Sequence, residues 1–167
     1  MLALALLAIG VISRLITHAP NFNPVIAIAL FSGVYVSRKY AIILPLALMV
    51  LSDAVIGFHD TIFFTWGSVA LIAAIGVWVR NRKNPATIIG STLFSAVLFF
   101  IITNFGAWLS LYPMTQKGFI DCYTLAIPFF RTTLLSTAVY AAVFFITYEL
   151  IALRVKDTRF ARALLTT

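Results

Sequence analysis

This sequence predicts an all-α membrane protein, a bundle of six transmembrane helices with both termini in the cytoplasm. The 167 residues are 62% hydrophobic and 10% charged, with a mean hydropathy of +1.05. A soluble domain is about 45–50% apolar and about 25% charged. The apolar residues also fall into six segments joined by short polar connections, and Lys and Arg concentrate in every second connection. That asymmetry is what orients membrane proteins.

We expect one transmembrane domain that spans the whole chain. The predicted helices cover residues 1–16, 24–37, 40–57, 62–79, 87–111 and 127–153, and a basic tail covers 154–167. Crossing the hydrocarbon layer takes about 20 helical residues, so the first three segments are short and indicate thin or tilted packing. Segment 1 could instead be a signal peptide, but it lacks a basic start and carries Arg14 near its end.

The basic residues set the orientation of these segments. Nine Lys and Arg lie in residues 38–39, 80–83 and the tail, whereas the other three connections hold only Lys117. The nine therefore mark the cytoplasmic side. This distribution explains the net charge of +7 as topology, and we expect no nucleic-acid partner.

The first outer connection, THAPNFNP, is stiff and rich in side-chain amides. Its prolines fix its path, and Asn23 is a plausible N-cap for segment 2. No structural requirement explains His18, Asn21 and Phe22. We therefore predict that these three side chains contact a ligand.

Segment 3 carries an acid, Asp53, about one turn from the outer surface. An intramembrane carboxylate is costly unless it is paired or hydrated. Arg14 and Arg131 lie at a similar depth, so either could pair with it. Asp53 and Arg131 are therefore candidates for ligand contact, a structural ion pair, or both.

Segment 5 ends with Asn104, Trp108 and Tyr112 at four-residue spacing. This spacing places the three side chains on one helical face that runs to the outer surface. Trp and Tyr are also ordinary membrane-interface residues. The deeper Asn104 needs a hydrogen-bonding partner, and we predict that the stripe contacts a ligand.

Small residues recur every four positions in segment 2, at Ala29, Gly33 and Ser37. Such spacing lets two helices approach closely. The stripe indicates either packing inside this chain or docking on another membrane subunit. In segment 6, Thr133 and Ser136 begin a polar line whose hydroxyls can bond to their own helix.

Three possible metal ligands, His18, His59 and Cys122, lie in outer connections. They have no recognisable spacing, so they are weak candidates for a metal site. A catalytic set of Asp, His and Cys is weaker still because no nucleophile motif supports it. We expect no cofactor and no enzymatic activity.

Several stretches resemble an uncharacterised bacterial family of small multi-pass membrane proteins that are described as candidate transport proteins. The resemblance rests on four motifs across most of the chain, namely His18–Pro24, Ser52–Asp53, Thr103–Trp108 and Cys122–Arg131. This chain has Thr132, Ser136 and Thr137 where the family pattern has an Asn and then a Gly-Asp pair.

In size and topology this family is similar to the S components of energy-coupling factor transporters. That resemblance implies a substrate-binding subunit that takes a vitamin or other micronutrient from the outer side of the bacterial inner membrane. It also implies a membrane coupling subunit and ATPases as partners. The alternatives are a non-transport membrane subunit or scaffold and, less favoured, a membrane enzyme.

Overall fold

The structure is a computed structural model that describes residues 2–16 and 20–155. These residues form six α-helices and no strand, which confirms the predicted all-α class. The helices are α1 (Leu2–Leu15), α2 (Val25–Tyr35), α3 (Ile43–Ile56), α4 (Ile62–Val79), α5 (Pro85–Leu111) and α6 (Gln116–Val155). A short 3-10 turn, Arg80–Arg82, joins α4 to α5.

Three helical stretches in the described part of the chain are long and apolar enough to cross a membrane, namely Ile62–Arg82, Pro85–Leu111 and Gln116–Val155. Helices α1, α2 and α3 have 14, 11 and 14 residues. Each is shorter than the roughly 20 residues that a crossing takes. Composition and these three helices indicate a membrane protein, and the six crossings stay a prediction.

The centre of the bundle is α2, every residue of which is buried. Its most extensive neighbour is α4. A Cβ atom added at Gly33 would overlap the backbone of α4 at Ala73 and Gly76. Ala29 is also fully buried, and Ser37 is half-buried just beyond the helix. Ala29 and Gly33 therefore pack inside this chain and present no surface to another subunit.

An arginine from the 3-10 turn caps the C-terminal end of α2 by hydrogen bonding. The Arg80 guanidinium donates to the carbonyl oxygen of Gly33 at 2.7 and 3.1 Å and also to that of Val36. These carbonyls belong to the last turn of α2 and the residue after it, where intrahelical donors run out. We call this end of the bundle, with connections 36–42 and 80–84, the basic end.

Helix α6 begins at Gln116, so the predicted start at 127 is corrected. The sequence places the start near Pro128 because proline favours the first helical turn, but Pro128 lies inside the helix. The added turns pack on α5. Tyr123 Oη donates to the Ile101 carbonyl at 2.8 Å, and the Trp108 and Phe119 rings meet edge to face at 5.2 Å. These contacts make residues 116–126 helical rather than a loop.

Candidate functional site

A cavity of about 340 Å³ lies at the end of the bundle opposite the basic end. We call this the polar-loop end; its connections are residues 20–24, 57–61 and 112–115. The lining combines the end of α1, the 20–24 connection, and side chains of α2, α3, α4, α5 and α6. Ligand sites commonly enclose about 300–1,000 Å³, so the volume suits a small molecule. Asn21 is exposed and lines the cavity, so the cavity reaches the surface at this end.

Two copies of one short pattern form the wall between α5 and α6. Phe99, Phe100 and Thr103 on α5 read Phe-Phe-x-x-Thr, and residues 129–133 on α6 read the same. The two Phe and the final Thr of each copy line the cavity. The rings of Phe100 and Phe130 are 4.6 Å apart between centroids. Two aromatic pairs with a hydroxyl one turn later therefore build one wall from two helices.

Four of the five hydroxyl groups in the described lining bond to their own helices, and the fifth, Thr61 Oγ1, lies 2.9 Å from His59 Nδ1. Thr103 Oγ1 donates to the Phe99 carbonyl at 2.8 Å, and Thr133 Oγ1 donates to that of Phe129 at 3.0 Å. Ser136 Oγ lies 3.0 Å from the Thr133 carbonyl and 3.3 Å from the Asn21 carbonyl, so it can donate its one hydrogen to either. Such bonds satisfy the hydroxyl hydrogen locally and hold each side chain in one rotamer.

Three asparagines line the cavity, and two of them were predicted as ligand contacts. Asn104 Nδ2 donates to the Phe100 carbonyl at 2.8 Å, and the Asn104 side-chain oxygen makes no hydrogen bond to residues 2–16 or 20–155. Asn21 lies in the left-handed region with φ of 62°, which Asn tolerates better than most residues. The N-cap of α2 is Pro24 rather than Asn23 as predicted, but Asn23 Oδ1 accepts from the Val25 amide at 3.1 Å and so satisfies one of the free donors at the start of α2.

Behind one wall lies a buried ion pair. Arg14 Nη2 is 2.7 Å from Asp53 Oδ1, while Arg14 Nη1 donates to Ser52 Oγ at 2.7 Å. Trp66 Nε1 donates to the other Asp53 oxygen at 2.7 Å. Asp53 is fully buried and does not line the cavity, whereas Arg14 does. The structure therefore selects Arg14 over Arg131 as the partner of Asp53.

Four residues predicted to contact a ligand lie elsewhere. Phe22 packs on Tyr140 with ring centroids 5.7 Å apart. Trp108 Nε1 donates to the Pro113 carbonyl at 3.2 Å, and Tyr112 follows the last residue of α5. Arg131 is exposed, one position away from the cavity-facing residues of α6. None of the four is part of the cavity lining.

The weak metal candidates are not brought together in the described part of the chain. His59 is exposed and its Nδ1 is 2.9 Å from Thr61 Oγ1. Cys122 is buried against α5, with Sγ 3.4 Å from the Asn104 carbonyl. His18 lies outside the described residues. Residues 2–16 and 20–155 contain no group of three His, Cys, Asp or Glu side chains placed to hold a metal ion.

The sequence interpretation missed most of the cavity. The sequence analysis did not single out the phenylalanine wall of the cavity or Thr65, which also lines the cavity. The repeated Phe-Phe-x-x-Thr pattern in the last two segments was the available signal. Thr133 and Ser136, which the sequence marks as the start of a polar line in segment 6, both lie in the cavity lining.

Comparison with known proteins places the chain in a family and goes no further. Neither the curated proteins nor the solved structures include a significant match to this sequence. A family model does match, over residues 1–160, which is nearly the whole chain. This protein belongs to the family of unknown function DUF6580.

Proposed function

We propose that this protein is a multi-pass protein of the bacterial cytoplasmic membrane that binds a small molecule from the outer side. It would serve as the substrate-binding subunit, similar to an S component, in the uptake of a vitamin or other micronutrient. The observation that carries the proposal is the cavity at the polar-loop end. It combines an apolar wall with a few convergent polar groups, the combination typical of small-molecule sites.

The distribution of charge supports an outward opening. The connections at the basic end hold Arg38, Lys39, Arg80, Arg82 and Lys83. The positive-inside rule assigns that end to the cytoplasm. The cavity, at the opposite end, would then open to the outside.

Partners supply the energy in this proposal. The sequence has no Gly-rich phosphate-binding loop, a motif that ATP-driven transporters use to hold nucleotide. Active uptake would therefore need partner subunits or an ion gradient, and the partners that the similarity to S components implies are a membrane coupling subunit and ATPases. The lipid bilayer is the remaining partner.

The binding step can be tested without knowing the ligand. The full chain is purified in mild detergent, washed and denatured, and the released small molecules are compared by mass spectrometry. Wild-type protein should release at least one compound that Asn104→Ala protein lacks. Asn81→Ala, an exposed asparagine at the basic end, serves as the matched control and should retain that compound.

Two results would contradict this site assignment. Equal release from wild-type and Asn104→Ala protein would remove Asn104 from the site. If Asn104→Ala protein instead fails to fold, as judged by gel filtration and thermal unfolding, the role of Asn104 is structural. The Asn104 bond to the Phe100 carbonyl lies within one helix, so we expect the variant to fold.

A further inference from the structure

We propose that the cavity selects an uncharged molecule that is rich in hydrogen-bond donors and has an apolar face for the phenylalanine wall. This inference rests on the proposed function and specifies the chemical class of the ligand. It is drawn from the hydrogen bonds already made by the cavity lining and from the position of its nearest charges.

Most hydroxyl groups of the lining can still accept a hydrogen bond from a ligand but have no hydrogen left to donate. A hydroxyl group has one hydrogen to donate and two lone pairs to accept with. Thr65, Thr103 and Thr133 each donate that hydrogen to a carbonyl of their own helix, at 2.8 to 3.1 Å. Ser136 donates its hydrogen to the Thr133 carbonyl at 3.0 Å or to the Asn21 carbonyl at 3.3 Å. Their lone pairs are what remains for a ligand.

Asn104 adds a stronger acceptor to the same wall. Its Nδ2 is bound to the Phe100 carbonyl, and its Oδ1 makes no hydrogen bond to the described residues. An amide oxygen has two lone pairs. A ligand that presents O–H or N–H groups toward α5 and α6 therefore matches the lining.

Charge at the cavity disfavours ionic ligands of either sign. Among the described lining residues Arg14 alone is charged, and Asp53 lies behind it at 2.7 Å. A cation would meet the guanidinium before the carboxylate. An anion would compete with Asp53 for Arg14. The other donors that it would meet in the described lining are neutral, among them the side-chain N–H groups of Asn21, Asn23 and Asn104. Because an uncompensated charge in a poorly hydrated site is costly, a neutral ligand fits best.

The phenylalanines define the remaining face of the ligand. Phe99, Phe100, Phe129 and Phe130 all line the cavity, and burial of apolar ligand surface against such rings is favourable. The described residues of this lining include no carboxylate that could hold an ammonium group against the rings. The wall therefore suits an uncharged ring or hydrocarbon segment.

A cysteine inside the cavity can measure this selectivity directly. Ala107 lines the cavity, so Ala107→Cys in a Cys122→Ser background places one thiol there and leaves every lining hydroxyl intact. The probes are 2-hydroxyethyl, 2-sulfonatoethyl and 2-trimethylammonioethyl methanethiosulfonate. They have a common reactive group and differ in charge. For each probe, the reaction rate at Ala107→Cys is divided by the rate of the same probe at Met114→Cys in the same background. Met114 serves as the reference because it is exposed at the same end of the bundle.

We expect the relative rate of the neutral probe to exceed those of both charged probes by about tenfold, since one tenfold step in rate corresponds to a modest electrostatic penalty. A charged probe that reacts as fast as the neutral one would overturn the proposal. If no probe reacts at Ala107→Cys while all react at Met114→Cys, the cavity is closed to solutes, and the proposed function fails with it.

The preference for donors has its own test. In the Ala107→Cys background, the reaction rate of 2-hydroxyethyl methanethiosulfonate is compared with that of propyl methanethiosulfonate, which lacks the O–H group. Thr133→Val removes one lining acceptor. It should lower the ratio of the 2-hydroxyethyl rate to the propyl rate about threefold, because a neutral hydrogen bond contributes only modestly. Thr92→Val removes a similar intrahelical bond outside the cavity and should leave the preference unchanged. An equal effect of both variants, or of neither, would contradict the acceptor role.

Discussion

Arg14 Nη2 lies 2.7 Å from Asp53 Oδ1, so an ion pair ties the last turn of α1 to the last turn of α3. The Asp53 carboxylate is fully buried, whereas the Arg14 side chain keeps 16% of its surface exposed. The pair holds in place the single cation of the described cavity lining and cancels its charge. It is thus part of both the packing and the electrostatics of the cavity.

Removing one member of this pair should destabilise the protein more than removing both. Asp53→Asn leaves the Arg14 charge uncompensated, and we expect a loss of roughly 3 kcal/mol, the lower end for a buried pair. The double variant Arg14→Met with Asp53→Leu should lose less than either Arg14→Met or Asp53→Leu alone, and therefore clearly less than their sum. Thermal unfolding in detergent, followed by tryptophan fluorescence, measures all variants. Strictly additive losses would contradict a coupled pair.

The crossing of α2 and α4 should tolerate no side chain at Gly33. Because an added Cβ would overlap the α4 backbone at Ala73 and Gly76, Gly33→Ala should cost roughly 2 kcal/mol through overpacking. Gly90→Ala is the matched control, since open space surrounds the corresponding Cβ on α5. Alanine favours helix over glycine by about 1 kcal/mol, so the control should be neutral or stabilising. Equal unfolding temperatures for the two variants would argue against close packing at Gly33.

The proposed orientation predicts which end of the bundle is reached from outside the cell. Met114 is exposed in the connection between α5 and α6, and Asn81 is exposed at the basic end. In a Cys122→Ser background, a membrane-impermeant maleimide should label Met114→Cys in intact cells. It should label Asn81→Cys only after the membrane is permeabilised. The opposite pattern would reverse the topology and place the cavity on the cytoplasmic side.

The sequence was sufficient for the all-α class and the six helices, because apolar runs bounded by Pro, Gly and charged residues are local features. It was not sufficient for the start of α6. Pro128 is typical of the first turn of a helix, so the sequence predicts a start there. Packing of Cys122 and Tyr123 on α5 accounts for the additional helical turns on the N-terminal side of Pro128. The local pattern of residues in one sequence does not reveal tertiary contacts of this kind.

The same limit explains which site predictions the cavity includes. Helical spacing places Asn104 and Trp108 on one face, but it does not give the depth at which a neighbouring helix closes over that face. Asn104 lies deep enough to line the cavity, while the Trp108 indole reaches the Pro113 carbonyl instead. Likewise, Phe22 follows Asn21 directly, yet its ring turns to Tyr140. Whether Asn21 and Asn104 contact a ligand stays a prediction.

Filling the cavity is the most direct test of a ligand site at the polar-loop end. Ala107→Phe adds a ring inside the cavity, and Ala142→Phe adds the same ring at an exposed position of α6, in a separate apolar groove between α5 and α6. The measurement is the amount of small molecule that each purified full-length variant releases on denaturation, with thermal unfolding as the check on folding. We predict that Ala142→Phe protein releases the same compound as wild type and that folded Ala107→Phe protein releases none. Equal release from both variants would contradict the central claim that this cavity binds the ligand.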